Sequence, residues 1–169
     1  SALKSFTSRN FKVVGESGHV YGYGKSVWAM IDLDTRQPVD ILAVRDGLIS
    51  EYIETEYPCP IEKSSRVKMS AATAPIRSIE TYYNDVDVNG HINSVKYIEH
   101  VLDLWDLSWY KEHCIKRFEI AYVAESHQGD QLHFYREQRD TDTDFNVRIT
   151  KSNSDGEETE VCRCRMLFI

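Results

Sequence analysis

The chain contains no apolar run longer than a few residues. A transmembrane helix needs about 20 predominantly apolar residues in succession, so the sequence predicts no membrane span. The N-terminus, Ser1-Ala2-Leu3-Lys4, also lacks the apolar stretch of a signal peptide and an initiator methionine. We therefore expect a cytoplasmic protein, with Ser1 marking a processing site, a tag cut or a truncation.

The chain has fewer basic than acidic residues, 20 Lys and Arg against 27 Asp and Glu, which gives a net charge of −7. This balance disfavours nucleic acids and anionic membranes as partners, since both require a basic surface. Cysteines are also few, and the four of them, Cys59, Cys114, Cys162 and Cys164, are scattered. We expect free thiols in a reducing compartment. Cys162-x-Cys164 lacks a second ligand pair for zinc, so the prediction there is buried thiols.

The chain is long enough, at 169 residues, for one domain or for two small ones. Residues rich in Val, Tyr and Trp predict strands over 4–14 and 19–32, with a glycine-bounded turn between them. Residues 39–53 are expected to hold a short helix. Residues 55–75 contain three of the four prolines and a Ser/Lys/Arg cluster, which is typical of a linker.

The pattern becomes regular after the linker. Residues 76–84 carry the β-branched and aromatic residues of a strand, and residues 92–105 have apolar side chains at the helical period. The members of this apolar stripe are Ile92, Val95, Ile98, Val101, Leu102 and Trp105. Four alternating strands with short turns between them are predicted over 115–125, 130–139, 144–151 and 158–168. One apolar-striped helix against an antiparallel sheet predicts an α+β fold.

The segment before the helix begins like the loop of a calcium-binding EF-hand, with Asp85-x-Asp87-x-Asn89-Gly90. An EF-hand requires a bidentate carboxylate at the twelfth position of its loop, and Lys96 stands there. The preceding residues also alternate like a strand, whereas an EF-hand needs a helix. The sequence therefore argues against calcium binding.

The same segment allows two other interpretations. Asp, Asn and Gly can simply build a strand-to-helix turn, with Asn89 or Asn93 capping the helix. Alternatively, Asp87, Asn89, His91 and Asn93 form a polar row beside a helix N-terminus, whose free N–H groups carry a partial positive charge. Such an arrangement suits an oxyanion or a polarised carbonyl.

Residues 87–98, DVNGHINSVKYI, resemble the D-x-N-x-H-x-N-x-x-K-Y motif of the acyl-acyl carrier protein (acyl-ACP) thioesterases, double-hotdog enzymes that end fatty-acid synthesis. The family's upstream signatures R-[DE]-F, G, S-x-W and D-T-R are similar to Arg9-Asn10-Phe11, Gly18, Ser26-x-Trp28 and Asp34-Thr35-Arg36. Downstream, residues 122–126, YVAES, resemble the family's Y-R-R-E-C strand. Together the matches touch most of the chain.

This resemblance implies a hotdog fold, in which an antiparallel sheet wraps a long central helix. Residues 76–169 then form one complete C-terminal hotdog with the active-site motif, residues 1–54 hold the closing strands of an N-terminal hotdog, and residues 55–75 link them. Full-length family members have an entire first hotdog, so we expect Ser1 to mark a truncation within it. If no segment precedes Ser1, the uncovered sheet edges predict a homodimer.

The resemblance also implies an active site composed of Asp87, Asn89, His91 and Glu125. Glu125 acts as a general base on water or as a nucleophile, and both routes stay open. Asn89 and His91 orient the carboxylate or the water, Asp87 holds the network, and the helix N-terminus stabilises the oxyanion. The family's cysteine after the glutamate is Ser126 here, which argues against an obligatory thiol nucleophile at that place. Hydrolysis at such a site requires no cofactor and no metal.

Residues outside this site bear on the partner. Acyl carrier proteins are strongly acidic, so docking on a chain of net charge −7 needs a local basic patch. Lys63, Arg66 and Lys68 in the linker are the candidates, unless they merely solvate an exposed segment. The other histidines, His127 among them, show no partner pattern and are expected at the surface.

Two other functions compete with acyl-ACP hydrolysis. An acyl-CoA thioesterase of the hotdog class becomes the better hypothesis if no basic patch forms. A non-catalytic hotdog that binds acyl chains or supports a partner subunit is the alternative from another class, and Glu125 discriminates it from an enzyme. A hotdog dehydratase fits less well, because its motifs differ from Asn89-x-His91-x-Asn93. The length of the acyl chain does not follow from these residues.

Overall fold

The structure is a computed structural model, and it describes residues 2–64, 67–70, 74–152 and 156–169. The chain divides into two compact units, Ser1–Lys63 and Ser64–Ile169. Among the described residues, none of the helices has both the length and the apolar character needed to cross a bilayer.

The first unit contains a three-stranded antiparallel sheet, formed by β1 (Ala2–Leu3), β2 (Phe6–Val14) and β3 (Val20–Ala29). β3 ends three residues before the predicted boundary at residue 32. The cause is a turn, because the Asp32 carboxylate accepts hydrogen bonds from the backbone and side chain of Thr35 and redirects the chain.

After this sheet the chain forms an irregular 3₁₀ helix over Val44–Tyr52, inside the stretch 39–53 that was expected to be helical. Arg45, Asp46 and Gly47 have positive φ angles and interrupt the helix. Such angles are unfavourable for residues with a Cβ atom, so this segment cannot continue as a regular α-helix. The described part of residues 55–75 contains neither helix nor strand.

The second unit is built on a five-stranded antiparallel sheet with strand order β4-β6-β7-β8-β5. Its strands are β4 (Arg77–Glu80), β5 (Ile115–Tyr122), β6 (Gln131–Gln138), β7 (Asp144–Ser152) and β8 (Glu158–Phe168). The four C-terminal strands lie where the alternation of side chains predicts them, and β5 ends three residues earlier than expected. After Tyr122 the regular ladder stops, and the N–H groups of Val123 and Ala124 both donate to the Val161 carbonyl of β8.

The predicted single helix over residues 92–105 is wrong in its extent. Two helices are present, α1 (Ser94–Leu102) and α2 (Leu107–Glu112), and the chain turns between them. The Asp106 side chain caps α2 by accepting the N–H of Trp109 at 2.9 Å. An Asp before a short amphipathic stretch is a helix-start signal that the periodicity alone did not reveal.

Side chains from elsewhere satisfy the carbonyl groups at the end of α1. Tyr110 donates its hydroxyl to the Leu102 carbonyl at 2.7 Å, and Arg136 donates to the Leu104 carbonyl at 2.8 Å. The last carbonyls of a helix have no partner within the helix, so these bonds stabilise its end at Leu102.

The hydrophobic core lies between α1 and one face of the five-stranded sheet. Tyr97, Val101 and Trp105 contribute from the helical side, and Val95, which was predicted in the same stripe, is 52% exposed. The sheet contributes Leu132, Phe134, Phe145, Val147, Ile149, Val161, Cys162, Cys164, Met166 and Phe168. The prediction of buried thiols at Cys162 and Cys164 is confirmed, and burial raises the pKa of Cys164 to about 12.

Candidate active site

A tight loop between β4 and α1 carries three of the four predicted site residues. The loop closes where Asp87 donates its N–H to the His91 carbonyl at 2.8 Å and Gly90 donates to the Asp87 carbonyl at 3.1 Å. Gly90 has a φ angle of +83°, which glycine adopts without the strain of a Cβ atom. The turn therefore fixes the positions from which Asn89 and His91 project.

The Asp87 carboxylate organises the loop from within. Its Oδ1 accepts the backbone N–H of Asn89 at 2.8 Å and that of His91 at 3.2 Å. The Asn89 N–H, followed by the His91 N–H and the Asn89 side chain, lowers the pKa of Asp87, since each stabilises the ionised form against partial desolvation. Asp87 is accordingly ionised near neutral pH and holds the backbone of the loop.

His91 and Glu125 meet although they lie far apart in the sequence. His91 Nε2 is 3.3 Å from Glu125 Oε2, with the two side chains 29% and 51% exposed. The chain brings them together because the Ile92 N–H donates to the Ser126 carbonyl at 2.8 Å. The loop before α1 is thus fastened to the segment after β5, and an imidazole–carboxylate pair faces solvent at the junction.

The two asparagines of the motif have different surroundings. Asn93 caps α1, since its Oδ1 accepts the Val95 N–H at 3.0 Å, which confirms the capping interpretation for this residue. The Val95 N–H is therefore engaged in the cap. Asn89 is exposed, with its side chain beside the Asp87 carboxylate.

Sequence reasoning missed His127 as a neighbour of this site. The His127 ring stands edge-on to the His91 ring, with 5.1 Å between centroids and an interplanar angle of 79°. Thr81 and Asp130 hold the His127 backbone through bonds to its carbonyl and its N–H. The residue is exposed, as expected, but the expectation that it has no partner is wrong. Its place two residues after Glu125 was the available signal.

Only one of the three predicted basic residues lies in a described positive cluster. Lys68 lines a cavity of about 360 Å³ together with Arg148, Arg163 and Glu160. Glu160 is paired with Arg163, so the cavity carries an excess of positive charge. Arg66 lies outside the described residues. Lys63 is exposed in the first unit.

Comparisons with known proteins give the family. The C-terminal domain of acyl-ACP thioesterases matches residues 68–168, and the N-terminal domain of the same family matches residues 1–52. A palmitoyl-acyl carrier protein thioesterase from Gossypium hirsutum is 27% identical over 82% of this chain and 34% of its own length. The chain thus spans about a third of this curated relative.

Solved structures give the fold. An acyl-ACP thioesterase from Bacteroides thetaiotaomicron is 43% identical, with a TM-score of 0.88 over 100% of this chain and 65% of that one. The 12:0-ACP thioesterase from Umbellularia californica is 21% identical, with a TM-score of 0.83 over 100% of this chain and 64% of that one. These matches confirm the predicted α+β hotdog fold. Since the family's C-terminal domain matches more than half of the chain, the chain belongs to the acyl-ACP thioesterase family.

Proposed function

We propose that the protein hydrolyses fatty acyl thioesters carried by acyl carrier protein, with Glu125, His91, Asn89 and Asp87 as its site. The observation that carries this proposal is the 3.3 Å contact between His91 Nε2 and Glu125 Oε2. A carboxylate held by an imidazole at an accessible position is suited to activate water or to attack a carbonyl directly. We place the reaction in the cytoplasm, at the end of fatty-acid synthesis.

The reaction needs a polarised carbonyl, an attacking oxygen and a leaving thiolate. The N-terminus of α1 offers a partial positive charge beside the His91 loop, where the oxyanion would develop. Glu125 takes a proton from water as the water attacks, or first forms an anhydride that water then opens. In both routes the thioester C–S bond breaks, the thiolate takes up a proton, and a free fatty acid leaves.

Asp87 and Asn89 support the geometry of the His91–Glu125 pair. Asp87 is bound to two backbone N–H groups, so its role is to fix the turn that presents His91. Asn89 projects from the same turn with its side chain beside the Asp87 carboxylate, and the rest of its exposed amide can bind a water or the thioester oxygen. A shift of about 1 Å in such a constellation can cost about a hundredfold in rate.

The basic cluster of Lys68, Arg148 and Arg163 supports acyl carrier protein as the group that carries the acyl chain. Lys68, Arg148 and Arg163 line the cavity with Glu160, and this local excess of positive charge favours an acidic partner despite the net charge of the chain. We expect Lys68→Glu to raise KM for acyl-ACP about tenfold, since it reverses one charge of the cluster. Lys111→Glu, at an exposed position on α2, should leave KM unchanged and serves as the matched control.

The carrier is tested by presenting the same acyl group on acyl carrier protein and on CoA. A higher kcat/KM for acyl-ACP, lost in Lys68→Glu and kept in Lys111→Glu, supports the proposal. Equal or better turnover of acyl-CoA, unaffected by Lys68→Glu, identifies instead an acyl-CoA thioesterase of the hotdog class.

Catalysis itself is tested with Glu125→Ala. We expect thioester hydrolysis to fall at least about a hundredfold, in the range for loss of an acid–base group. Unchanged turnover by a folded Glu125→Ala variant would remove Glu125 from the mechanism. Acyl binding without turnover by the unaltered protein, on either carrier, would indicate a non-catalytic acyl-binding hotdog.

A further inference from the structure

A second histidine beside the candidate site, His127, contacts the ring of His91. We propose that His127 is a positioning residue for His91, and that its ring keeps the His91 ring in the orientation that directs Nε2 at Glu125. This inference deepens the proposed function and rests on it, because the role of His91 in hydrolysis is part of that proposal.

The two imidazole rings meet edge to face. Their centroids are 5.1 Å apart, and their planes are inclined at 79°. Aromatic rings attract each other in this arrangement, because the electropositive edge of one ring faces the electronegative face of the other. His91 Nε2 is also 3.3 Å from Glu125 Oε2, so the His91 ring has two contacts that differ in kind.

The second contact matters because a histidine ring turns easily. The torsion that joins the ring to Cβ has a broad energy minimum, so a single polar contact leaves the ring plane poorly fixed. The His91 side chain is 29% exposed, and water can compete for its nitrogens. A ring packed against His91 restricts this torsion, and the distance from Nε2 to the Glu125 carboxylate is then better maintained.

His127 can restrain its neighbour because its own backbone is fixed on both sides. Its N–H donates to Asp130 Oδ2 at 3.0 Å, and its carbonyl accepts the Thr81 hydroxyl at 2.9 Å. Thr81 directly follows β4 and is 3% exposed. Lys151 donates to the same Asp130 oxygen at 3.1 Å, which ties the turn to β7 as well.

Backbone hydrogen bonds close the turn that carries His127. Gly129 donates its N–H to the Thr81 carbonyl, and Thr81 donates its N–H to the Asp130 carbonyl, each at 3.2 Å. Glu125 and His127 are exposed on either side of the buried Ser126. The turn therefore presents both side chains to the loop of His91, one to its nitrogen and one to its ring.

The proposal is tested with His127→Ala, His127→Gln and His127→Phe, each assayed for hydrolysis of acyl-ACP. We expect kcat to fall about tenfold in the alanine and glutamine variants while KM changes less than about twofold, since His91 is misplaced but the substrate still binds. The phenylalanine variant keeps a ring at this position, so its kcat should stay within about twofold of that of the unaltered protein.

Phenylalanine has no ring nitrogen, so the same variants separate packing from proton transfer. A fast His127→Gln with a slow His127→Phe would show that a polar group is needed, and would overturn the packing role. The pH profile of kcat should keep its shape in His127→Phe. A changed profile would also overturn the proposal, because His127 would then take part in the proton transfers.

His113→Ala is the matched control. The His113 ring stacks on Trp109 with 3.8 Å between centroids, and it follows α2, beyond the C-terminal end of α1. The variant loses a contact between an imidazole and an aromatic ring without touching His91. Its kcat and KM should equal those of the unaltered protein, and a loss as large as that in His127→Ala would overturn the specific role of His127.

Nuclear magnetic resonance detects the ring contact without any turnover. In protein with isotope-labelled histidine, His127→Ala should shift the ring resonances of His91, because a neighbouring aromatic ring changes the magnetic field at nearby nuclei. His113→Ala should leave these resonances in place. Unchanged His91 resonances in His127→Ala would overturn the contact on which the inference depends.

Combination with His91→Ala separates this inference from the proposed function. If His127 acts through His91, adding His127→Ala to His91→Ala leaves the residual rate unchanged, and losses that multiply overturn the positioning role. Wild-type kcat in His127→Ala, with Glu125→Gln inactive, overturns the positioning role alone. Wild-type kcat in Glu125→Gln overturns the proposed function.

Discussion

Asp87 is the residue whose charge most directly supports the His91 loop. Its carboxylate accepts two N–H groups, and the pKa of Asp87 is lowered first of all by the N–H of Asn89. A group with a lowered pKa in the folded state stabilises the protein above its unfolded pKa, near 4. That contribution disappears as the pH falls through the lower pKa of the folded state.

We therefore expect Asp87→Asn to lower Tm at neutral pH. It should also lower kcat/KM by about tenfold or more, because the loop that presents His91 loosens. The Tm difference from the unaltered protein should shrink as the pH falls below about 4. Thermal unfolding recorded between pH 3 and about pH 7 measures this. A Tm difference that stays constant over that range would contradict the role of the charge.

At the scale of residues, the sequence indicated the chemistry but not the contacts. Asp87 and His91 are recognisable from their spacing beside a helix start, and Glu125 from its place in the family motif. The contact of His127 with His91 depends on the turn after β5. Thr81 and Asp130 bind the His127 backbone there and so position its ring. Such long-range placement leaves no periodic signal in the chain.

At the scale of elements, strands were predicted more accurately than helices. β7 and β8 alternate over nine and eleven residues between short turns, and that pattern fixes their bounds to within about one residue. α1 ends at Leu102, where Tyr110 binds the Leu102 carbonyl and Arg136 binds the Leu104 carbonyl just beyond it. These partners come from other elements, so the spacing of apolar residues along the helix could not predict its end at Leu102.

The pairing of β7 with β8 contains a charge pair whose loss should be measurable. Arg165 donates to both oxygens of Asp144, at 3.0 and 2.8 Å, and Asp144 is 6% exposed. We expect Asp144→Asn to lower the free energy of unfolding by about 2 kcal/mol, as for other hydrogen bonds to charged groups. Urea unfolding measures it, with the exposed Asp142→Asn as the control. Equal midpoints for the two variants would exclude the contribution.

At the scale of the whole molecule, the first unit exposes an unusual amount of apolar surface. Large side chains on β2 and β3 are at least 48% exposed, namely Phe6, Phe11, Val13, Tyr21, Tyr23, Val27 and Trp28. The register places Phe6, Tyr23 and Val27 on one face of this sheet and Phe11, Val13 and Trp28 on the other. Exposed apolar surface of this kind marks an interface. This exposed surface is where the homodimer would form that the sequence predicts if no segment precedes Ser1.

We therefore expect the 169-residue chain to sediment as a dimer at micromolar concentration. Val27→Glu, in the exposed row of β3, should shift it toward the monomer, because a charge would be buried in the interface. Val95→Glu, at an exposed position on α1, is the control. A stable monomer for the unaltered chain would show that the apolar surface is not used for self-association.

The most direct measurement is a double-mutant cycle on His91 and Glu125, with hydrolysis of acyl-ACP followed in His91→Ala, Glu125→Gln and the double variant. The 3.3 Å contact between the two side chains predicts that they act as one unit. Each single variant should lose at least about a hundredfold in kcat, and the double variant should be no slower than the slower of the two. Losses that multiply in the double variant, or wild-type turnover in Glu125→Gln, would contradict the account.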